Sequence, residues 1–175
     1  MRRWLGPILF GLIVAAATAW AAVLYIPFGL MTIAMDRLGQ GGINTMSHGN
    51  LANPARQPVV RPSPDLAYSS CPYDLSKGPV AIDVTPVPGR YSSLSIFDAA
   101  TDVIFVRNDV EAGGEPYRII VARDGQPVAA GAEVVRTGHD RGLALIRLLL
   151  KDPAEIAGLD RLRRQSSCVP VTKLK

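Results

Sequence analysis

VAIDVTPVPGRYSSLSIF, at residues 80–97, consists of two alternating apolar and polar runs on either side of a Pro-Gly turn. The first run alternates from Val80 to Val84, and the second alternates through Leu94 and Ile96. A period of two is typical of half-buried β-strands, because successive side chains on a strand point to opposite faces. We therefore predict two strands that pair with each other across the turn.

Further short apolar runs, separated by Gly and Pro turns, continue this pattern. They lie at residues 103–106, 117–122, 133–136 and 142–150. Asp124-Gly125 is a strong hairpin signal between two of them. Asp152 is a good N-cap for a helix over 153–165. The predicted fold class is mainly β, a β-sandwich or jelly-roll-like domain with one C-terminal helix.

A run of 32 uncharged residues, Trp4 to Met35, follows two arginines at the N-terminus. About 20 apolar helical residues are enough to cross the hydrocarbon core of a bilayer. The 20 residues from Pro7 to Ile26 are the predicted transmembrane helix. Basic residues before this helix favour a cytoplasmic N-terminus, with everything after residue 36 outside the cytoplasm.

A cleaved secretory signal is the alternative interpretation of this segment. It has a basic start, an apolar stretch, and Ala-x-Ala sites at 17–19 and 19–21. Cleavage would leave apolar residues 23–26 and 28–35 in water near a new terminus, whereas a retained anchor keeps them in lipid. A retained anchor is therefore favoured.

Three regions follow from this pattern: a cytoplasmic tip with its anchor (1–35), a Gly/Pro-rich linker arm (36–65), and one ectodomain (66–175). His48, in the arm, is interpreted as a solvated side chain rather than a ligand. After residue 35 the chain carries 17 basic and 15 acidic side chains, so no nucleic-acid partner is predicted.

Two cysteines, Cys71 and Cys168, follow the anchor, on the oxidising side of the membrane. An even cysteine count in an extracytoplasmic domain predicts a Cys71–Cys168 disulfide. Two separate buried thiols are the alternative. A bridge over so long a loop would contribute at most about 4–5 kcal/mol.

A series of short motifs occupies residues 60–170. In order they are Asp-x-x-Tyr (Asp65, Tyr68), Asp-Leu-x-x-Gly-Pro (Asp74, Gly78, Pro79), Arg-Tyr (Arg90, Tyr91), aromatic-Asp (Asp98) and an apolar strand ending in Arg147. This series resembles the bacterial family known as domain of unknown function 1254. Longer members often have Asn-x-Asp-Thr-x-Tyr, where this chain has Ser63, Asp65, Leu66 and Tyr68.

The resemblance implies a β-sandwich in the bacterial envelope, often fused to, or encoded near, a companion domain of unknown function 1214. The chain is most similar to the short, membrane-anchored form, for which a protein with the companion domain would be a separate partner. The expected location is the bacterial inner membrane, with a single span, a cytoplasmic N-terminus and a periplasmic C-terminal domain.

The motif residues have simple structural interpretations. Asp74 is expected to form a turn, Tyr68 and Tyr91 to be core-edge aromatics, and Arg90 and Arg147 to pair with Asp98 or Asp65. The sequence has no nucleophile elbow, no phosphate-binding glycine loop and no metal-ligand spacing. No catalytic, cofactor-binding or metal-binding residue is therefore predicted.

Two functional hypotheses remain open. The first is a non-enzymatic binding or accessory module that faces the periplasm. The second is a hydrolase-like or carbohydrate-acting enzyme that uses Asp65, Asp74 and Asp98 together with Arg90. Convergence of two of these carboxylates in an open cleft would support the enzyme.

Overall fold

The computed structural model describes residues 2–52 and 62–171 of the chain. A long N-terminal helix precedes nine strands and a short late helix. The elements are α1 (Leu5–Leu38), β1 (Ser47–His48), β2 (Leu66–Asp74), β3 (Val80–Val84), β4 (Ser92–Asp98), β5 (Val103–Asn108), β6 (Tyr117–Arg123), β7 (Val134–Thr137), β8 (Arg141–Leu149), α2 (Ile156–Arg163) and β9 (Ser167–Pro170).

The strands form two sheets, with the orders β1-β2-β8-β4-β5 and β7-β6-β3-β9. The main core contains apolar side chains from both sheets, among them Tyr73, Ile82, Ile96, Ile119 and Ile146. The prediction of a mainly β fold with one C-terminal helix is therefore confirmed.

The predicted faces of β4 are confirmed, but the predicted pairing is wrong. Leu94 and Ile96 are fully buried in the core. However, β4 pairs with β5 and β8 in one sheet, whereas β3 pairs with β6 and β9 in the other. Alternation determines which face of a strand is buried, and it does not determine the neighbouring strand.

The Asp124-Gly125 hairpin prediction is also wrong. Gly125 has a φ of 80° and does form a turn after β6. However, β7 then pairs with β6 in parallel, after a longer connection. Strand β7 lies at the edge of its sheet.

A disulfide joins Cys71 on β2 to Cys168 on β9, with 6.4 Å between the Cα atoms. The two strands belong to different sheets, so the bridge crosses the sandwich. Both cysteines are buried in the main core. The predicted pairing is confirmed.

The late helix begins where the sequence indicates. The side chain of Asp152 accepts a hydrogen bond from Ala154 N, and a single 3-10 turn at Pro153–Glu155 leads into α2. Ile156, Leu159 and Leu162 pack against a second, smaller buried cluster of the sandwich.

Helix α1 is 34 residues, or about 51 Å, long, and it is apolar enough to cross a membrane by length and composition. None of the residues in the most apolar 18-residue stretch of this helix is buried. Near its C-terminal end, however, Met31 and Met35 are buried with Leu143, and Phe97 packs against the same cluster. The last turns of the helix therefore lie on the outer face of the five-stranded sheet.

The chain leaves the helix at Gly39, close to β2. A Cβ atom there would lie 2.5 Å from Met35 O and 2.6 Å from Pro72 Cγ, so only glycine fits without displacing backbone. Ser70 Oγ, also on β2, donates a 2.8 Å hydrogen bond to Leu38 O. These contacts continue the packing of the helix on the sheet.

Part of the Gly/Pro-rich region also packs on the sandwich. Strand β1 pairs with β2 at Ser47↔Ser70 and His48↔Ser69. Asn44 N donates to Pro72 O at 2.8 Å, and its side chain accepts a 2.8 Å hydrogen bond from Asp74 N. The chain therefore turns back along the edge of β2 as soon as it leaves the helix.

Candidate functional site

Two clusters of polar side chains contain most of the family-motif residues. One cluster lies at the end of the sandwich where β2 and β4 end and β8 begins. The other lies on the outer face of the five-stranded sheet, toward the opposite ends of these strands. We call the first the loop end and the second the Arg147 surface.

At the loop end, Asp74 stabilises its own turn. Its carboxylate accepts hydrogen bonds from Ser76 N at 2.9 Å and from Arg141 Nε at 3.0 Å. Hydrogen bonds lower the pKa of the Asp74 carboxyl, and those with Ser76 have a larger effect than the one with Arg141. The expected role of Asp74 as a turn-former is confirmed. Downstream, Gly78 has a φ of 141°, a conformation that favours glycine.

Asp98 has a similar role at the end of β4. Its Oδ1 accepts hydrogen bonds from Ala100 N at 2.9 Å and Asp102 N at 3.1 Å, which fixes the β4–β5 turn. Its Oδ2 lies 3.8 Å from His139 Nε2. The His139 ring in turn contacts the ring of Phe28 edge-on, with 5.5 Å between centroids.

A shallow pocket of about 430 Å³ lies between α1 and these turns. It is lined by Phe28, Asp74, Ser76, Ala99, His139, Asp140 and Arg141. No group of three potential His, Cys, Asp or Glu metal ligands occurs among residues 2–52 and 62–171. The pocket combines ion-paired side chains with one aromatic ring of the long helix.

The three carboxylates of the hydrolase hypothesis do not form one site: Asp65 lies apart from Asp74 and Asp98, which share the loop end. Asp65 directly precedes β2, whereas Asp74 is its last residue, about 30 Å further along an extended strand. Asp98 ends a different strand, and two backbone amides and His139 occupy its carboxylate. Asp74 and Asp98 thus end the two strands that flank β8, and each carboxylate accepts hydrogen bonds within its own turn.

The Arg147 surface consists of side chains on four neighbouring strands and one residue beside them. Register places Arg147 on β8 between Tyr68 on β2 and Ser93 on β4. The remaining members are Tyr91, Ser95, Val106 and Leu149. Tyr91, Val106 and Leu149 are 48%, 55% and 43% exposed, so this half of the sheet face presents apolar surface to solvent.

Arg147 has no carboxylate partner within the described residues. Its Nη2 donates a 2.7 Å hydrogen bond to Ser95 Oγ, and its buried Nε has no hydrogen-bond partner among residues 2–52 and 62–171. The expected ion pair of Arg147 with Asp98 or Asp65 is therefore wrong. The Asp98 carboxylate accepts a hydrogen bond within its own turn at the far end of the sheet. Asp65 contacts the end of β8 through its backbone carbonyl oxygen, which accepts a hydrogen bond from Leu150 N.

The other arginines on or beside the sandwich with low exposure do have carboxylate partners. Arg90 pairs with Glu155, with 2.6 Å between Nη2 and Oε1. The expected pairing of Arg90 with Asp98 or Asp65 is therefore wrong. Arg107 pairs with Glu133, and Arg163 with Asp160. Arg147 is an exception to this pattern.

The remaining motif residues have structural contacts. Tyr68 Oη accepts a 3.1 Å hydrogen bond from Ser63 N, and Pro79 O accepts one of 2.8 Å from Val171 N. Tyr91 is more exposed than a core-edge aromatic, and its carbonyl oxygen accepts from Leu149 N.

A cluster that the sequence does not predict lies where β1 meets α2. His48 is not simply solvated: its Nδ1 lies 2.9 Å from Ser69 Oγ, and burial, followed by the charge of Arg163, lowers its pKa. Arg163 is 5% exposed and donates to Gly49 O and Tyr68 O. No local sequence pattern could indicate these contacts, because Tyr68 and Gly49 lie 95 and 114 residues from Arg163 in the chain.

Comparison with solved structures shows the same fold in a bacterial protein. The VPA0106 protein from Vibrio parahaemolyticus matches with a TM-score of 0.62 and 16% sequence identity, over 86% of this chain and 37% of that chain. An uncharacterized protein from Burkholderia cenocepacia matches with a TM-score of 0.46 and 17% identity, over 63% of this chain and 32% of that chain. This chain thus spans about a third of the solved chains that it matches. No curated protein matches it.

The family comparison agrees with the motif order in the sequence. The model of the protein family of unknown function DUF1254 matches residues 43–170, which include β1 to β9 and the Arg147 surface. The chain therefore belongs to the DUF1254 family.

Proposed function

We propose that the protein is a membrane-tethered, non-enzymatic binding module on the periplasmic side of the bacterial inner membrane. The observation that carries the proposal is the continuity of α1. The helix passes without interruption from an exposed, apolar part to Met31 and Met35, which are buried on the sandwich.

The packing of α1 would hold the sandwich close to the bilayer. Ile26, the last residue of the proposed span, precedes Met31 by five residues, or about 7.5 Å of helix. Phe28 contacts His139, so the loop end would face the membrane. Arg147 lies six residues along β8 from Arg141 at that end, or about 20 Å along the strand.

A separate partner chain fits this arrangement. The fold occupies 37% of the Vibrio parahaemolyticus chain, so in that protein it accompanies a larger amount of additional polypeptide. We propose that this module associates with a second protein, of which a protein carrying the companion domain of unknown function 1214 is the first candidate. The exposed Arg147 surface offers the place for such an association.

Fractionation of the native host tests the tethering. Full-length protein should remain in the membrane pellet after alkaline carbonate extraction. Protease added to spheroplasts should degrade the sandwich but leave a fragment that contains the N-terminal span. A matched variant with Ile13→Asp and Leu12→Asp should lose membrane retention, because two charged residues near the centre of the span are costly in lipid. Soluble protein whose N-terminus begins after Ala19 or Ala21 would show a cleaved signal and contradict the proposal.

A further inference from the structure

We propose that the Arg147 surface binds an amphipathic helix of a partner polypeptide, and that this helix supplies a carboxylate to Arg147. The inference rests on the proposed function and deepens it, because it names the chemistry of the partner and the place where it binds. Four observations support it, on charge, apolar exposure, shape and the neighbouring helix contact.

The first observation concerns charge. Arg147 carries a full positive charge on a sheet face, and its only side-chain partner among the described residues is the neutral hydroxyl of Ser95. The comparable arginines Arg90, Arg107 and Arg163 all have carboxylate partners. A carboxylate from outside the chain would form charge-assisted hydrogen bonds with the guanidinium group.

The second observation is the apolar surroundings. Tyr91, Val106 and Leu149 are about half exposed around Arg147, while Ser93 and Ser95 beneath it are almost fully buried. A central charge among exposed apolar and aromatic side chains is typical of a binding surface whose partner covers both.

The third observation is shape. Two pockets of the described residues lie elsewhere, at the loop end and beside α2. Small molecules bind mainly in concave sites, so an open sheet face favours a polypeptide partner.

The fourth observation is that the same face already binds a helix. The last turns of α1 cover the adjacent half, with Met31 and Met35 buried against Leu143 and Phe97. Ser70, next to Leu145 on that face, donates to the last residue of α1. A partner helix on the Arg147 surface would therefore continue an existing helix-on-sheet interface, and its carboxylate would have to face Arg147.

Photo-crosslinking in the native host tests this inference. A benzophenone amino acid replaces Leu149 in the full-length, membrane-inserted protein, and crosslinked products are mapped by mass spectrometry. The expected product joins position 149 to a segment of another protein with apolar residues at helical spacing and at least one Asp or Glu. The control replaces Arg118, which is exposed on the four-stranded sheet, and should not give this product.

Charge variants provide the decisive comparison. Arg147→Glu should lower the yield of the crosslink about tenfold or more, and Arg147→Gln should lower it less. Changing the mapped Asp or Glu of the partner to Arg should restore the crosslink from position 149 in the Arg147→Glu variant. Retention of the Cys71–Cys168 disulfide in each variant shows that the sandwich has folded.

Other outcomes would overturn the inference. These are a crosslink to lipid, to a second copy of this chain or to a segment without a carboxylate, no crosslink, or a yield unaffected by Arg147→Glu. In each of these cases the tethering stands if the protein still fractionates with the membrane. A protein released from the membrane by signal cleavage would instead contradict the proposed function.

Discussion

Met35, near the end of the N-terminal helix, is buried in one cluster with Leu143 of the central strand β8. A residue of a 34-residue apolar helix thus belongs to the packing of the sandwich. Under the proposed tethering, the protein is a sandwich held by its anchor in a fixed orientation, and not a domain on a long flexible linker.

Weakening this contact should release the helix without unfolding the sandwich. Met35→Ala removes buried apolar volume, and comparable truncations cost about 2–5 kcal/mol in a protein core. We expect faster hydrogen–deuterium exchange at the amides of residues 36–39, which follow the contact. Asp36→Ala is the matched control, because Asp36 is exposed on the same turn. Equal exchange in the two variants would show that Met35 does not hold the helix.

The disulfide should be the largest single stabilising feature of the sandwich. It closes a sequence separation of 97 residues, for which the chain-entropy model predicts about 4–5 kcal/mol at most. Cys71→Ala with Cys168→Ala should lower the free energy of unfolding by an amount approaching this value, as measured by urea denaturation in detergent. A loss below about 1 kcal/mol would contradict this role.

Stability should fall as the pH drops below 6.5 because of His48. The folded state lowers the pKa of His48 from its usual value of 6.5, through burial and the nearby charges of Arg163 and Arg164. Since the unfolded chain then binds the proton more readily, stability is complete above pH 6.5 and is lost as the pH falls toward the lower, folded pKa. His48→Gln should remove this dependence in urea denaturation, while His139→Gln should retain it. A pH profile identical in wild type and His48→Gln would refute the assignment.

Two arginines should differ sharply in their effect on folding. Arg163→Gln removes hydrogen bonds to Gly49 O and Tyr68 O and leaves Asp160 without one partner, so we expect a cost of about 2–4 kcal/mol. Arg147→Gln breaks no ion pair among the described residues and should cost less than about 1 kcal/mol. Thermal unfolding of the two variants side by side measures the difference. An Arg147 variant as unstable as the Arg163 variant would assign Arg147 a structural role.

The sequence predicts the buried faces well because burial leaves a local pattern. Leu94 and Ile96 face the core as their alternation indicates. Strand β2 carries a weaker pattern, because Ser69, Ser70 and Pro72 interrupt its apolar residues. Pro72 is tolerated because it lies beyond the short β1 ladder, on the edge where its carbonyl accepts from Asn44 N.

The contacts that define the candidate site leave no such local pattern. Met31 and Met35 lie in an uninterrupted apolar run, where burial in lipid and burial against protein give the same sequence. The partner of Arg147 depends on register: Ser95, and not a carboxylate, lies within its reach. Likewise, Arg163 and His48 meet only when β1 and α2 pack beside β2.

A distance measurement in a bilayer tests the docking of α1 most directly. Spin labels at Ile33 and Val110, which are 49% and 78% exposed, would report the separation between the helix and the far end of β5 in lipid nanodiscs. Both native cysteines are joined in the disulfide, so the spin labels would attach only to cysteines introduced at positions 33 and 110. We predict one narrow distance distribution that broadens in Met35→Asp. A broad distribution in the unmodified protein would show a freely moving sandwich and contradict the account.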